Sequence, residues 1–300
     1  LFILARRIYY MTRLALLSDI HGNLPALEAV IADMAQFAPD HVVVAGDNVN
    51  LGPFSAEVLQ VIHEHRWTHI RGNNEYYVIN AYPPRKPETW AHFTMLEFLH
   101  DQLTDWHHYI AGMPDDLLLR YPDAPDVHLC HAIPDDCWTG IYSKKHMSDE
   151  QVTNYLAGAR AKTIFCGHTH LPLDRRVGDF HIINPGSVGQ PLMGEPVISY
   201  MIVDGNSDGW QVTHHRQLPM ETDRLFPKWE SQNFVGRCGV TARIVMEEFK
   251  QTRLMLHTFN VWMADQHPDE IATHAHGDAF LAMTPAERAP YVHPCYRLDN

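Results

Sequence analysis

The sequence contains no C-x-x-C pair, and its five cysteines, Cys130, Cys137, Cys166, Cys238 and Cys295, are an odd number spread along the chain. Both facts argue against a secreted disulfide framework and predict a reducing, cytoplasmic setting. No apolar run approaches the roughly 20 residues that a membrane-crossing helix needs, so no membrane partner is expected. The opening "LFILARRIYY" places its short apolar segment before two arginines, the reverse of a signal peptide. Positive charge is also scarce: 23 Lys and Arg against 36 Asp and Glu leave a formal charge of −13. Phosphate neutralisation needs clustered cations, so a duplex nucleic-acid surface is not expected either. Internal repeats and long low-complexity tracts are missing. What remains is 300 residues, 45% of them hydrophobic, enough for one large domain with an appendage or for two modest domains.

Met11 with "TRLALLSD" reads as the start of a first strand, leaving residues 1–11 as a leader outside the core. After the strand, "LPALEAVIADMAQF" has apolar spacings of three and four with Pro25 in its first turn, which predicts a helix. The alternation then repeats: strand "HVVVAGD", helix "SAEVLQVIHEH", strand "WTHIRGN". Such alternation predicts parallel strands joined by right-handed crossovers. A helical segment is expected from about Thr89 to Ile110. Beyond it, "DDLLLRY", "DVHLCH", "KTIFCGHTH", "DFHIINPGS", "VISYMIVD" and "GWQVTHHR" read as strands, interrupted by one helix near "SDEQVTNYLAGA", and predict a second, more antiparallel sheet. From Glu221 the pattern is helical again, with "VTARIVMEEFKQTRLMLHTFNVWMA" its longest periodic stretch and an irregular tail after Gln266. The expected division is a core at 12–220 and a helical extension at 221–300. That extension's apolar face must lie on the core or on another copy, which makes it a candidate homo-oligomer interface.

Ligand-type residues sit at the strand exits. "LLSDIHGN" offers Asp19 and His21, which would face one spot if the strand continued through them. "GD" offers Asp47, "GNNE" Asn73, "LCHAIP" His131, and "CGHTH" His168 and His170, most of them beside a glycine that lets the chain turn tightly. Two aspartates, an asparagine and four histidines are the mixed oxygen and imidazole donors expected for a pair of ions such as Mn, Fe, Zn or Ni. The other histidines match no motif: His63, His65, His69, His107, His108, His214 and His215 are read as surface or core-edge residues. "HAHGD", from His274, is read as an adventitious pair in the tail. Cys130 and Cys166 are expected to pack in the sheet.

In series, Asp-x-His, Gly-Asp, Gly-Asn, His and Gly-His-x-His resemble the calcineurin-like metallophosphoesterase superfamily. "GDNVNLGPFSAEV", "RGNNE", "HAIPDDCW" and "INPGSVGQP" resemble its small bacterial phosphodiesterase branch, and the likeness runs over roughly residues 12 to 216. It implies an α/β, four-layer αββα sandwich with two metal ions at the strand ends. Asp19, His21 and His170 would bind the first ion, Asn73, His131 and His168 the second, and Asp47 would bridge them. Ions so held lie about 3.5–4 Å apart and ionise a water near neutral pH, which attacks phosphorus in line with the leaving oxygen. The implied activity is hydrolysis of phosphodiester or nucleotide-type esters of small substrates, with Asp47, Asn74 and His131 at the reacting phosphorus.

Two departures narrow this reading. "GDNVNLG" carries Asn50 and Leu51 where phosphatase-like members carry Asp and Arg, and Leu51 cannot clamp a phosphate bidentately. Serine/threonine protein phosphatase activity therefore stands as an alternative without its arginine. "GNNE" places Asn74 where many relatives have a histidine that assists leaving-group protonation. A further alternative is a non-catalytic scaffold or phosphate-sensing module on the same fold, as in the superfamily's retromer subunit, but such members have lost ligands that are all present here.

Overall fold

The computed structural model describes residues 11–90 and 95–297; of the leader read at 1–11 only Met11 falls among them. The strands are β1 (Thr12–Leu17), β2 (His41–Val44), β3 (Thr68–His69), β4 (Asp116–Tyr121), β5 (Ala124–Cys130), β6 (Thr163–Phe165), β7 (Leu173–Val177), β8 (Phe180–Asn184), β9 (Val197–Asn206) and β10 (Gly209–Pro219). The helices are α1 (Leu24–Met34), α2 (Ser55–Glu64), α3 (Asn73–Ile79), α4 (Met95–Gln102), α5 (His107–Gly112), α6 (Asp149–Tyr155), α7 (Leu225–Ser231), α8 (Phe234–Gln251), α9 (Leu256–Gln266), α10 (His274–Ala282) and α11 (Pro285–Arg288).

Two five-stranded sheets face each other, ordered β10-β9-β1-β2-β3 and β4-β5-β6-β8-β7. Strand alternation builds the layers, because successive side chains point to opposite faces. Leu14 and Leu16 of β1 face inward with Val43, Val127, Leu129, Phe165 and Ile183, forming the core between the sheets. Ala15 and Leu17 face outward and are covered by Leu27 and Val30 of α1 and Val58 and Ile62 of α2. On the far side, Ile164 and Ile182 lie under Val152 and Leu156, in and just after α6. The result is the expected αββα sandwich.

Three details differ from the sequence reading. β9 and β10 do not extend the second sheet; β9 returns antiparallel to β1, and β10 pairs with β9. The long periodic stretch after Val240 is two helices, because Thr252 ends α8 at a φ of 51° before α9 begins. The "HAHGD" tail is helical, its start capped by the Thr273 side chain accepting from the His276 N–H.

The two sheets have their parallel strands in register for a common exit. β1, β2 and β3 are parallel neighbours in one sheet, and β5, β6 and β8 in the other. Their C-terminal ends meet along one edge of the sandwich, where open α/β sheets characteristically bind ligands. The C-terminal helices do not stand apart from this edge. Trp229, Phe234, Phe249, Phe259 and Phe280 share one buried cluster with Val49, Leu51 and Phe54 of the loop after β2 and with Met95, Phe98 and Leu99 of α4.

Candidate metal centre

All seven ligand-type residues converge at this edge. His21 Nε2 lies 3.1 Å from His170 Nε2, and His170 Nε2 lies 3.5 Å from Asp19 Oδ1. Asn73 Oδ1 lies 3.1 Å from His131 Nε2 and 2.9 Å from His168 Nδ1. Asp47 sits between the two groups, with Oδ2 at 3.7 Å from His21 Nε2 and 3.4 Å from His131 Nε2. Asp19, His21, Asp47, Asn73 and His131 are buried, and His168 and His170 partly so.

The backbone that produces this convergence is not the extended strand expected at Asp19 and His21. β1 ends at Leu17, and Asp19, His21, Asp47, His168 and His170 all have φ between 48° and 68°. Non-glycine residues in that left-handed region are uncommon and cost on the order of 1 kcal/mol or more each, so their clustering marks a functional constraint. The loops hold them there by hydrogen bonds. The His21 N–H donates to Asp47 O at 2.9 Å and the Gly167 N–H to His131 O at 2.7 Å. From "INPGSVGQ", Ser187 Oγ donates to Asp19 O at 2.8 Å, and Asn184 Nδ2 donates to Gly167 O at 2.6 Å. Glycine is required where these turns touch: a Cβ on Gly72 would collide with the Asp47 carboxylate, and one on Gly167 with Ser18 Oγ.

Imidazole orientation is set from behind. His131 Nδ1 donates to Ala45 O at 2.7 Å, and His170 Nδ1 donates to Gln190 O at 2.6 Å. A carbonyl can only accept, so both rings carry their proton on Nδ1 and turn an Nε2 lone pair inward, the arrangement of metal-binding histidines. In its neutral form His131 turns Nε2 toward the Asn73 amide oxygen, one acceptor opposite another. A cation between them satisfies both.

The electrostatics tell the same story. Burial pushes the Asp19 carboxyl above its usual range, although His170 and His131 pull it back. Burial acts the same way on Asp47, but the charge and hydrogen bond of His131 overcome it and hold Asp47 below its ordinary value. Burial lowers His21 to about 3 and, helped by the neighbouring His131, lowers His168 to about 3. For His131 burial is outweighed by the Asp47 carboxylate, which raises it to about 10. His21 and His168 are thus neutral imidazole donors beside an ionised Asp47 carboxylate. Without a cation, a proton on His131 is the charge that offsets Asp47. The donor set fits metal binding, with the two donor groups on either side of Asp47.

One residue with a clear role at this centre escaped the sequence reading. Glu75, fully buried, accepts from the N–H groups of Asp47 (3.2 Å), Asn48 (2.7 Å) and Gly72 (2.7 Å) and from Asn48 Nδ2 (3.0 Å). It ties the turn bearing Asp47 to the start of α3. The signal was its place three residues after Gly72 at a helix start, the acidic position of a capping box. Burial and the nearby Asp47 raise its pKa. Arg71, in "WTHIRGN", is paired with Asp115, and Lys144 with Asp149. Cys130 and Cys166 are buried in the second sheet's outer core, with thiols pushed up by burial.

A family profile described as "Calcineurin-like phosphoesterase superfamily domain" matches residues 12–208. The chain belongs to this family, a family of hydrolases, and is a phosphoesterase-type enzyme whose fold carries a candidate metal-binding group. It is similar to phosphodiesterase YfcE of Escherichia coli strain K12, 28% identical over 211 residues that cover 65% of this chain and 89% of that protein. In fold it resembles a metallophosphoesterase from Sphaerobacter thermophilus, with TM-score 0.59, 23% identity, and coverage of 74% of this chain and 94% of the other. It also resembles the hypothetical protein PH1004 from Pyrococcus horikoshii OT3, with TM-score 0.61, 15% identity, and coverage of 79% and 97%. Among the described residues, no helix is long and apolar enough to cross a membrane.

Proposed function

We propose that this chain is a dinuclear metal-dependent phosphoesterase that hydrolyses phosphodiester or nucleotide-type esters of small molecules. The observation that carries the reading is the position of Asp47, a buried carboxylate lying within 3.7 Å of imidazole nitrogens from both donor groups. Asp19, His21 and His170 would hold one ion, and Asn73, His131 and His168 the other. Two bound cations would supply the activation of water at neutral pH and the neutralisation of charge on the phosphoryl oxygens.

The chain's own groups do the rest. Asp47 is fixed by the Asn74 N–H on Oδ1 at 2.8 Å and by Asn74 Nδ2 on Oδ2 at 2.5 Å. Asn50 Nδ2 donates to Asn74 Oδ1 at 2.7 Å, so Asn50 orients the amide that orients Asp47. The second hydrogen of the Asn74 amide remains to donate to a phosphoryl oxygen. His131, anchored on Ala45 O, has no freedom to turn away from the reacting group. An aryl or nucleobase substituent is supported by the aromatic wall beside this centre: Tyr77 packs 5.1 Å from Trp138, centroid to centroid, and Trp138 is 45% exposed and lines the cavity. Aromatic platforms stack bases without demanding a particular one.

The phosphodiesterase name of the Escherichia coli relative favours diesters, and Leu51 in place of a phosphate-clamping arginine weighs against phosphoproteins. The test is metal analysis together with hydrolysis of bis-p-nitrophenyl phosphate and p-nitrophenyl phosphate after loading with Mn, Fe, Zn or Ni. Two ions per chain and faster diester turnover are expected. One ion, or none with activity intact, would overturn the dinuclear reading.

A further inference from the structure

The cavity above the centre has a volume of about 670 Å³, far more than one phosphoryl group fills, and it has two poles. One pole is the donor cluster with Asn74 and Trp138. The other is built by the C-terminal helices and the segment after them, which contribute His257, Asn260 and His293. This second wall is fastened to the first. Tyr296 Oη donates to Thr169 O at 2.7 Å, between His168 and His170, and Gln190 Nε2 donates to Glu248 Oε1 at 2.5 Å.

Among the described residues lining the cavity there is no lysine or arginine. The distal pole has three imidazoles instead. His293 stacks on Tyr142 at 5.2 Å between centroids, and His257 lies 6.5 Å from it, edge to face. His146 completes the group; burial first, then the proximity of His257, His146 and Arg297, holds His293 below the ordinary histidine range. Four other histidines sit on acids: His128 on Asp116, His181 on Asp174, and His267 and His276 on Glu270. His146, His257 and His293 have no carboxylate partner among the described residues. The His293 ring accepts from the Cys295 N–H on Nδ1 at 3.4 Å, which leaves Nε2–H as its donor. Asn260, one turn after His257 on α9, adds an amide on the same face.

We propose that His146, His257, His293 and Asn260 form a second anion subsite, so that the pocket selects phosphoesters carrying a further phosphate remote from the scissile one. Imidazoles that line one end of a cavity and lack acids are donors waiting for an anion. A phosphate there accepts their N–H groups and favours proton uptake, which turns the contacts into charge-assisted hydrogen bonds. An acidic protein gains in this way added positive charge around its ligand, beside the guanidinium of Arg297. The inference rests on the phosphoesterase reading for the catalytic pole but concerns a different wall.

The test compares two esters with the same leaving group: thymidine 5'-(p-nitrophenyl phosphate) and its 3'-phosphorylated counterpart. On the metal-loaded enzyme, kcat/KM should favour the 3'-phosphorylated ester by roughly tenfold or more, the size of one good charge-assisted contact. In His257→Ala/His293→Ala that ratio should fall to about one. His146→Ala, on an exposed turn, should lower it in part with the fold undisturbed. Calorimetry with thymidine 3',5'-bisphosphate against thymidine 5'-monophosphate reads the same preference without turnover. Equal wild-type values for the two ligands, or a preference that survives both variants, overturns the subsite. A calorimetric preference lost in the variants, with no hydrolysis of either ester or of bis-p-nitrophenyl phosphate, would support the subsite while refuting the phosphoesterase reading.

Discussion

Asn74 holds Asp47 by both of its nitrogen atoms, the backbone N–H on Oδ1 at 2.8 Å and Nδ2 on Oδ2 at 2.5 Å. The charge and hydrogen bond of His131, then His21 and the Asn74 N–H, keep this carboxylate ionised at a depth where burial alone would neutralise it. Its remaining lone pairs face the two imidazole groups. Exchanging Asp47 for asparagine keeps the shape and removes the charge that offsets two dications at short range. Breaking a buried charge pairing of this kind costs about 3–5 kcal/mol, or roughly two to nearly four decades of metal affinity. Asp47→Asn is expected to bind fewer than two ions after dialysis and to lose activity on bis-p-nitrophenyl phosphate, more than any other single ligand variant. Near-normal turnover with two retained ions would refute the bridge.

Much of this centre was legible because the ligands fall at strand exits in a fixed order, and the order survives any error in strand boundaries. The reason given for their convergence was less secure. Alternation along an extended chain explains Leu14 and Leu16, which do face one way, but Asp19 and His21 lie beyond β1 in left-handed turns. A sequence shows which residues tolerate such turns poorly, not that the loops will force them there. The return of β9 to β1 was hidden for a similar reason, since a strand's hydrophobic pattern does not name its neighbour. The break at Thr252 was hidden too, because apolar spacing continues through it. Glu248 explains that break: its Oε2 accepts from the N–H groups of Met255 at 2.6 Å and Leu256 at 2.7 Å and so starts the next helix.

Removal of the C-terminal segment tests how far it is a separate unit. Val49, Leu51, Phe54, Met95 and Phe98 are each buried against residues of α7 to α10. Cutting after Gln217 would expose them as one contiguous apolar patch of the kind that drives aggregation. Truncation is expected to give an insoluble or self-associating protein, and any soluble fraction should lose binding to the distal pole of the cavity. A monodisperse truncated chain with unchanged kinetics would show that the extension is dispensable to both core and site.

Glu248 supplies a pH dependence of stability. Burial raises its pKa to about 7, against the lowering effect of the Leu256, Met255 and Gln190 hydrogen bonds. A carboxyl that keeps its proton to higher pH when folded stabilises the fold fully below its unfolded value, near 4.3, and loses that contribution as pH rises through the folded value. The Tm of the wild type should therefore fall between about pH 5 and pH 8 relative to Glu248→Gln, which has no proton to lose. Parallel Tm profiles for the two proteins would mean that Glu248 is ionised throughout.

Asn74 also bears on the leaving group. Its amide can donate to a phosphoryl oxygen but cannot release a proton near neutral pH as an imidazolium can. General acid catalysis contributes about 10²–10⁴-fold where the leaving alkoxide is basic and far less where it is a nitrophenolate. The backbone N–H that holds Asp47 Oδ1 would be retained. Asn74→His is therefore expected to raise kcat/KM for alkyl phosphate monoesters by more than for aryl diesters, with metal content unchanged. The measurement is a leaving-group series on both proteins, plotted against leaving-group pKa, and the variant should show the shallower slope. Equal slopes would mean that another group already delivers the proton in the wild type, and that asparagine at this position does not set the preference for good leaving groups.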